Sequence, residues 1–243
     1  MGRRKDVPEI DAAHEPLQVA IEGGVGVGKS TVIRELGRRL HGRCGDAEDG
    51  SCPPRVMTYE EPVDLWRARG LLRSMYDGTL SPLGFQMVAL TTRIGPLVEG
   101  LRQSPSTETH ITERSIFSDK EIFARTTLNS NEWDAYALAH QEITRTLPRD
   151  LRVVTVQLDL GDNATIRRIR ARGRPEEVKT FDRSRVRHMR LAHNHMYALL
   201  RHDKYRVDAS RPLEQVCDDV MRIVEKYSSA PRSPTTTGEQ MVG

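Results

Sequence analysis

The stretch Gly23-Gly24-Val25-Gly26-Val27-Gly28-Lys29-Ser30-Thr31 decides the fold of this chain. It fits the pattern G-x-x-x-x-G-K-[ST] and lies between a short apolar run, Leu17 to Ile21, and a helical pattern over 30–40. Glycines in such a loop let backbone N–H groups turn toward phosphate oxygens, and the following helix adds the positive end of its dipole. We therefore expect residues 23–31 to bind a nucleoside triphosphate, with Lys29 as a point charge and Ser30 as a Mg²⁺ ligand.

Strand and helix patterns alternate outward from this loop. Further strands are predicted at 55–59, 109–112, 151–160 and 205–207, and helices at about 63–77, 82–102, 116–128, 131–146, 182–202 and 212–226. Asp162 or Asn163 is expected to cap the helix after the fourth strand, and the basic segment 172–181 is predicted to be a loop. This order predicts an α/β three-layer sandwich of the P-loop NTPase type with a mostly parallel five-stranded central sheet. A ligand site is then expected at the carboxyl edge of that sheet.

Composition restricts the class of protein. The chain has 243 residues, 37% hydrophobic and 29% charged, which suits one packed domain; we expect it over 17–227, with a flexible segment 1–16 and a disordered tail 228–243. No apolar run approaches the ~20 residues of a membrane span. The N-terminus has no secretory or transit pattern, and the three cysteines have no C-x-x-C spacing, so we expect an intracellular, cytoplasmic protein without a membrane partner.

Further motifs follow the phosphate loop in order. They are I-E-G-x-x-G-x-G-K-S-T at 21–31, E-P-V at 61–63 with Trp66, M-Y at 75–76, F-Q at 85–86, E-R-S-I-F-S-D at 113–119 and R-I-R-A-R-G-R-P-E-E at 168–177. Together they make the chain similar to the deoxynucleoside kinases, the family of the deoxycytidine and deoxyguanosine kinases. The resemblance implies ATP- and Mg²⁺-dependent transfer of a phosphoryl group to the 5′-hydroxyl of a deoxynucleoside in nucleotide salvage.

The resemblance also implies roles for the acidic residues that follow the second and third strands. Glu61 would accept the proton of the attacking 5′-hydroxyl. Its neighbour Glu60 competes for this assignment, and the position directly before Pro-Val favours Glu61. Glu113 would contribute to the Mg²⁺ site together with Ser30.

Arginines are expected to stabilise the charge of the transferring group. Arg114 would position the base and screen phosphate charge, and an arginine-rich lid would carry Arg168, Arg172 and Arg174 over the phosphates. Residues 165–190 contain ten basic and three acidic side chains. We attribute this excess to the lid and to solvated residues, including Arg167 and Arg170, and expect no nucleic-acid partner.

The nucleoside site implied by the resemblance lies between aromatic rings. Its members are Trp66, Tyr76, Phe85, Gln86, Phe123 and Glu177, with Tyr76 and Glu177 on the 3′-hydroxyl and Gln86 on the base edge. Ala89, Arg93 and Asp119 match the deoxycytidine and deoxyguanosine kinase branch. Because Asp119 can accept a hydrogen bond from an exocyclic amino group, we expect deoxycytidine and purine deoxynucleosides to be preferred over thymidine.

Three alternatives remain open at this point. The enzyme could be a thymidine kinase or a broad-specificity deoxynucleoside kinase. It could also be a thymidylate kinase, in which Arg67 or Arg69 would hold the substrate phosphate. A nucleotide-dependent switch is disfavoured because no N-K-x-D motif is present. The resemblance further implies a homodimer through the helices near 82–102 and 115–146.

Overall fold

In the computed structural model, residues 15–41, 56–103 and 109–228 are described, and within them five strands form one sheet. The strands are β1 (Leu17–Glu22), β2 (Val56–Tyr59), β3 (Thr109–Glu113), β4 (Arg152–Asp159) and β5 (Lys204–Asp208). They lie in the order β2-β3-β1-β4-β5, and every adjacent pair is parallel. The predicted five-stranded sheet is therefore confirmed, with β1 at its centre.

Helices join the strands. They are α1 (Lys29–His41), α2 (Val63–Ala68), α3 (Leu71–Tyr76), α4 (Pro82–Gln103), α5 (Ile116–Ser118), α6 (Arg125–Thr127), α7 (Ser130–Thr144), α8 (Asp162–Arg172), α9 (Pro175–Thr180), α10 (Arg183–Leu199) and α11 (Leu213–Ser228). A π-helical segment, Asp119–Ala124, separates α5 from α6. These elements confirm the predicted α/β class.

The two faces of the sheet differ in polarity. Alternate residues of the strands point to opposite faces. One face is apolar and packs against α1 and α11 in a core that includes Val19, Ile111, Val156, Ile33 and Val220. The other face is buried but polar. It carries Gln18, Glu22, Thr112, Thr155 and Gln157.

Hydrogen bonds pair part of the polar face, whereas Glu22 Oε2 and Gln157 Oε1 have no partner among the described residues. Gln18 Nε2 donates to Thr112 Oγ1 at 2.9 Å, and Gln157 Nε2 donates to Asn194 Oδ1 of α10 at 2.8 Å. The second layer of helices has its own apolar clusters, one around Leu90 and Tyr136 and one around Trp66 and Phe85. The polar face therefore lies between the apolar core and these helices.

Three local predictions about the helices were wrong. The helix predicted over 63–77 is divided into α2 and α3 at Gly70, whose φ of 70° is left-handed and interrupts the helix. The segment 172–181, predicted to be a loop, contains α9, which begins at Pro175, a residue suited to the first helical turn. Helix α8 is capped by Gly161 without a side-chain hydrogen bond, so neither Asp162 nor Asn163 is its cap.

The segment after β3 also departs from a regular helix. Between α5 and α6, residues 119–124 form a π-helical turn, a form that is rare and frequent at functional sites. The predicted tails lie almost entirely outside the described residues, as does the loop predicted at 42–54. Within the described ranges, no helix has both the length and the apolar character needed to cross a membrane.

Candidate active site

The phosphate loop connects β1 to α1 as predicted. Gly23 and Gly26 have φ of 138° and 83°. A Cβ at Gly23 would lie 2.8 Å from the Leu158 carbonyl oxygen, and one at Gly26 would lie 2.6 Å from Ile169 Cγ1. Both positions therefore require glycine. The loop residues Gly24, Val25, Val27 and Gly28 continue the turn, and Ser30 and Thr31 lie in the first turn of α1.

Lys29 is buried at the base of this loop. Its Nζ donates to the Gly24 carbonyl oxygen at 3.1 Å and lies 3.6 Å from Glu113 Oε1. Burial and the positive charge of Arg114 lower the pKa of Lys29 to about 8, against the opposing effect of the carboxylates around it. An incoming phosphate would favour the protonated form.

The end of β3 forms a tight turn against the loop. Arg114 has φ 74°, the one left-handed non-glycine residue of the described chain. Its Nη1 donates to the Gly23 carbonyl oxygen at 3.2 Å. Buried Glu22 accepts hydrogen bonds from the backbone N–H and the hydroxyl of Ser115 at 2.8 and 2.7 Å. These contacts hold a strained backbone conformation that turns the guanidinium toward the phosphate loop.

Glu61 lies two residues beyond the end of β2, beside Glu113 at the end of β3. Its Oε1 accepts from Arg93 and, at 3.2 Å, from Arg114 Nε, and its backbone N–H donates to Glu113 Oε2 at 3.3 Å. Burial opposes ionisation of Glu61, but Arg114, Arg93 and Lys29 together hold its pKa below the ordinary value. The neighbouring cations therefore favour the ionised form of this carboxylate.

Glu60 points elsewhere. Its carboxylate lies 3.3 Å from Arg34 Nε of α1, and 43% of its side chain is exposed. The geometry therefore favours Glu61 over Glu60 as the residue that faces the phosphate loop.

Arg93 connects Glu61 to the π-helical segment. It pairs with both Glu61 and Asp119, and its guanidinium lies 5.1 Å from the Trp66 ring centre and 5.5 Å from that of Phe123. Asp119 is 1% exposed. Burial lowers the pKa of Arg93, and the carboxylate of Glu61 opposes that effect. A buried ion pair thus forms one wall of the predicted nucleoside site.

Of the predicted nucleoside-binding side chains, Trp66 and Phe123 contact Arg93, and the others have partners of their own. Trp66 donates to Thr92 Oγ1 at 3.1 Å and meets Phe85 edge to face. Gln86 Nε2 lies 3.3 Å from Thr127 Oγ1, and buried Ala89 packs with Trp66 and Phe85. The Phe123 ring lies 4.4 Å from the guanidinium carbon of Arg114, and Tyr76 meets Phe181 edge to face.

The predicted lid consists of the end of α8, Gly173 and α9. Arg172 and Arg174 both pair with buried Glu177, Arg174 at 3.1 Å. Arg168 instead donates to two backbone carbonyl oxygens, those of Val27 and Ala209, each at 2.8 Å. Arg167 and Arg170 are exposed, as predicted.

Arg67 of α2 and Arg69, which follows that helix, are exposed. Arg67 Nε lies 2.8 Å from Glu176 Oε1 of α9, at the surface, and Arg69 is exposed. The thymidylate kinase alternative would require one of these arginines to hold a substrate phosphate, and Arg67 is paired with a carboxylate of α9 instead.

Sequence reasoning missed two buried residues of this site. Glu22 was treated only as part of a motif, although its place at the end of the central strand signals proximity to the loop. His193 of α10 was missed because its helix contains three histidines and four arginines, without a pattern that marks one histidine as buried. In the structure it is 1% exposed, and burial together with the charges of Arg114 and Lys29 lowers its pKa well below the ordinary value.

Comparison of the sequence with protein-family profiles identifies the family of this chain. The sequence profile of the deoxynucleoside kinases matches residues 19–229. This chain is a member of the deoxynucleoside kinase family. The kinase is 29% identical over 238 residues to the thymidine kinase of ictalurid herpesvirus 1, covering 93% of this chain and 94% of that protein.

Two further relatives extend the comparison. The kinase is 30% identical over 125 residues, 49% of its length and 46% of the relative's, to a probable deoxycytidine kinase of fowlpox virus. Its fold is similar to that of the deoxyadenosine kinase of M. mycoides, with a TM-score of 0.57 at 18% identity, over 86% of this chain and 99% of the other. The kinase is therefore a phosphotransferase that acts on deoxynucleosides and uses a nucleotide, on a P-loop kinase fold.

Proposed function

We propose that the kinase transfers the γ-phosphoryl group of ATP in line to the 5′-hydroxyl of a deoxynucleoside, with Glu61 as the proton acceptor. The observation that supports this most is the convergence of Glu61, Lys29 and Arg114 at the carboxyl edge of the sheet. An ionised carboxylate beside two cations can accept a proton while the cations stabilise the charge of the phosphoryl group.

The low pKa of Glu61 suits this role. Phosphoryl transfer has a loose transition state, in which the attacking hydroxyl keeps most of its proton until late. A weak base is then sufficient, provided that it is ionised and correctly oriented. The hydrogen bonds from Arg93 and Arg114 supply both conditions for Glu61.

The chain offers oxygen ligands for Mg²⁺. Glu113 is buried beside Lys29, and the Ser30 hydroxyl lies in the first turn of α1. Mg²⁺ commonly takes one or two protein oxygens and completes its coordination shell with phosphates and water, so these two residues would be sufficient protein ligands. Bound there, Mg²⁺ would neutralise phosphate charge.

We further propose that deoxycytidine and purine deoxynucleosides are preferred. The buried Arg93–Asp119 pair presents a carboxylate that suits an exocyclic amino group. Thymine presents a carbonyl at that place, which leaves polar groups unpaired at about 1–3 kcal/mol. The thymidine kinase of the ictalurid virus, similar along nearly the whole chain, supports the alternative that thymidine is the substrate.

We propose a homodimer as the assembled form. α4 and α7 pack against each other through Leu90, Ile94 and Tyr136. The outer side of α7 carries Leu138, whose side chain is 62% exposed. An apolar residue in that position suits a contact with a second copy of the chain.

The decisive experiment is phosphoryl transfer from γ-labelled ATP with Mg²⁺ to five acceptors in parallel. These are deoxycytidine, deoxyadenosine, deoxyguanosine, thymidine and thymidine monophosphate. Strong labelling of deoxycytidine or the purines with weak labelling of thymidine supports the proposal. Thymidine as the best acceptor would overturn the proposed preference, and labelling of the monophosphate alone would overturn the proposed acceptor group.

A further inference from the structure

The most unusual side chain beside the phosphate loop is that of His193. Its ring is 1% exposed, and neither nitrogen has a hydrogen-bond partner among the described residues. The neighbouring histidines of α10, His188 and His195, are exposed. Buried polar groups are nearly always hydrogen-bonded, because leaving one unpaired costs folding free energy. The unpaired nitrogens of His193 thus destabilise the folded kinase, and a ligand that forms a hydrogen bond with the ring would reduce that destabilisation.

The surroundings of His193 identify the kind of ligand. The ring lines the same cavity as the backbone of Gly23 and Gly24. The centre of the His193 ring lies 6.4 Å from the centre of the Phe123 ring. The Arg114 guanidinium packs on the same Phe123 ring. The cavity therefore extends from the backbone of the phosphate loop to Leu158 and Leu160, and His193 contributes an unpaired polar group to it.

The charge at this place favours an anion. Burial, Arg114 and Lys29 all disfavour the protonated imidazole, so the pKa of His193 lies well below its ordinary value and the ring is neutral near pH 7. A neutral imidazole has one N–H donor and one acceptor nitrogen. It can therefore donate to an oxyanion without adding a third positive charge to the pair already there.

We propose that the His193 imidazole donates a hydrogen bond to a phosphate oxygen of the nucleoside triphosphate bound at residues 23–31. This inference rests on the proposed nucleotide site and adds a ligand contact from α10, which the loop motif does not contain. The imidazole would act as a binding residue on the side of the phosphates that faces α10. A phosphate oxygen would pair the N–H of the neutral ring, which has no acceptor within the described chain, and an aliphatic residue at this position would offer no such donor.

The test is equilibrium binding of the non-hydrolysable β,γ-imido analogue of ATP with Mg²⁺. His193→Phe keeps a buried ring but removes the donor, and the analogue should bind about tenfold more weakly or worse. His193→Gln keeps a donor and should bind within about threefold of the parent protein. His195→Phe, on the exposed side of the same helix, is the matched control and should not change the affinity.

A second readout separates binding from packing. Without the analogue, His193→Phe should melt at the same or a higher temperature than the parent, since it removes an unpaired buried polar group. In the parent protein, addition of the analogue should shift the ¹⁵N resonances of the His193 ring. The inference is overturned if His193→Phe binds as tightly as the parent, or if those resonances do not move, and the second criterion decides alone if the variant does not fold.

Lys29→Ala distinguishes this inference from the assignment of the loop itself. If that variant loses affinity for the analogue while His193→Phe does not, the loop is correct and the His193 contact is wrong. If Lys29→Ala binds normally, the proposed nucleotide site is wrong.

Discussion

At the scale of single residues, the active site consists largely of buried carboxylates paired with buried cationic side chains. Glu61 accepts hydrogen bonds from two arginines, and Lys29 lies between the loop carbonyl of Gly24 and Glu113. Each buried charge is stabilised by an opposite one, because an unpaired charge in such a place is strongly unfavourable. Removal of one charge is consequently expected to affect its partners as well as the chemistry.

Replacement of Glu61 by Gln tests the base. The amide preserves shape and can still accept from the arginines, but it cannot take a proton. We expect kcat to fall about 10²- to 10⁴-fold while the dissociation constant for the deoxynucleoside changes little. Steady-state kinetics and direct nucleoside binding measure the two quantities.

Glu60→Gln is the matched control for this change. Glu60 pairs with Arg34 on the exposed side of the same loop, so its loss should leave kcat unchanged. If Glu61→Gln retains turnover and Glu60→Gln loses it, the base is Glu60 and the geometric argument fails.

Individual residues were predictable from sequence where a motif fixes the backbone around them. Glu61, Glu113 and Arg114 follow strand ends, and the structure brings them together. His193 was not predictable, because burial within a helix depends on what packs against it, and the polar residues around it resemble a solvated face. For the same reason the unpaired state of its ring is visible only in three dimensions.

At the scale of elements, the Arg93–Asp119 pair joins α4 to the π-helical segment. We expect the double change Arg93→Met/Asp119→Ala to raise the thymidine-to-deoxycytidine ratio of kcat/KM, by about 5- to 150-fold. The reason is that the carboxylate facing the thymine carbonyl is removed together with its partner. Competition between the two nucleosides for limiting enzyme measures the ratio.

The single change Asp119→Ala should destabilise the folded protein more than the double change Arg93→Met/Asp119→Ala does. It leaves Arg93 buried with Glu61 as its remaining partner, and breaking a buried pair in this way costs about 3–5 kcal/mol. Arg125→Met/Glu121→Ala removes an exposed pair from the same stretch of chain and serves as a control that leaves the ratio unchanged. An unchanged ratio in the Arg93 and Asp119 double variant would remove the basis of the proposed specificity.

Elements were predictable where hydrophobic periodicity was long. The sheet and the helices of more than ten residues agree with their patterns. α9 was missed because it has only six residues and a basic neighbourhood, and the division at Gly70 was missed because glycine within a helical pattern does not by itself indicate a break. The π-helical turn depends on tertiary packing around Asp119 and has no sequence signature.

At the scale of the whole molecule, buried neutral histidines predict a loss of stability in mild acid. Burial lowers the pKa values of His140, His193 and His202. The unfolded chain, in which a histidine has a pKa of about 6.5, then binds more protons than the folded protein below that pH. We expect the melting temperature to fall as the pH is lowered from 7 to 5.

The slope of the melting temperature against pH is the quantity to compare between the parent protein and its variants. His140→Gln should reduce the slope, and His188→Gln on the exposed face of α10 should not. Glu22 acts in the opposite sense, since burial raises its pKa and the folded protein takes up that proton first. Equal slopes for the parent and His140→Gln would contradict this account.

The proposed homodimer gives a prediction at the same scale. Light scattering should give twice the chain mass of 27.5 kDa. Leu138→Asp should shift the protein toward the monomer, because a charge at an apolar contact is unfavourable. Leu191→Asp, at a residue of α10 that is 51% exposed, is the control. A monomeric parent protein would rule out the dimer.

The strand order places the phosphate loop after a central strand and Glu61 after an edge strand. The phosphate loop leaves β1, which has a neighbour on each side, whereas Glu61 follows β2, a four-residue strand at the edge of the sheet. Amide protons of an edge strand exchange with solvent through smaller local openings than those of a central one. In dilute denaturant the kinase is therefore expected to lose its capacity for phosphoryl transfer while its nucleotide loop is still folded.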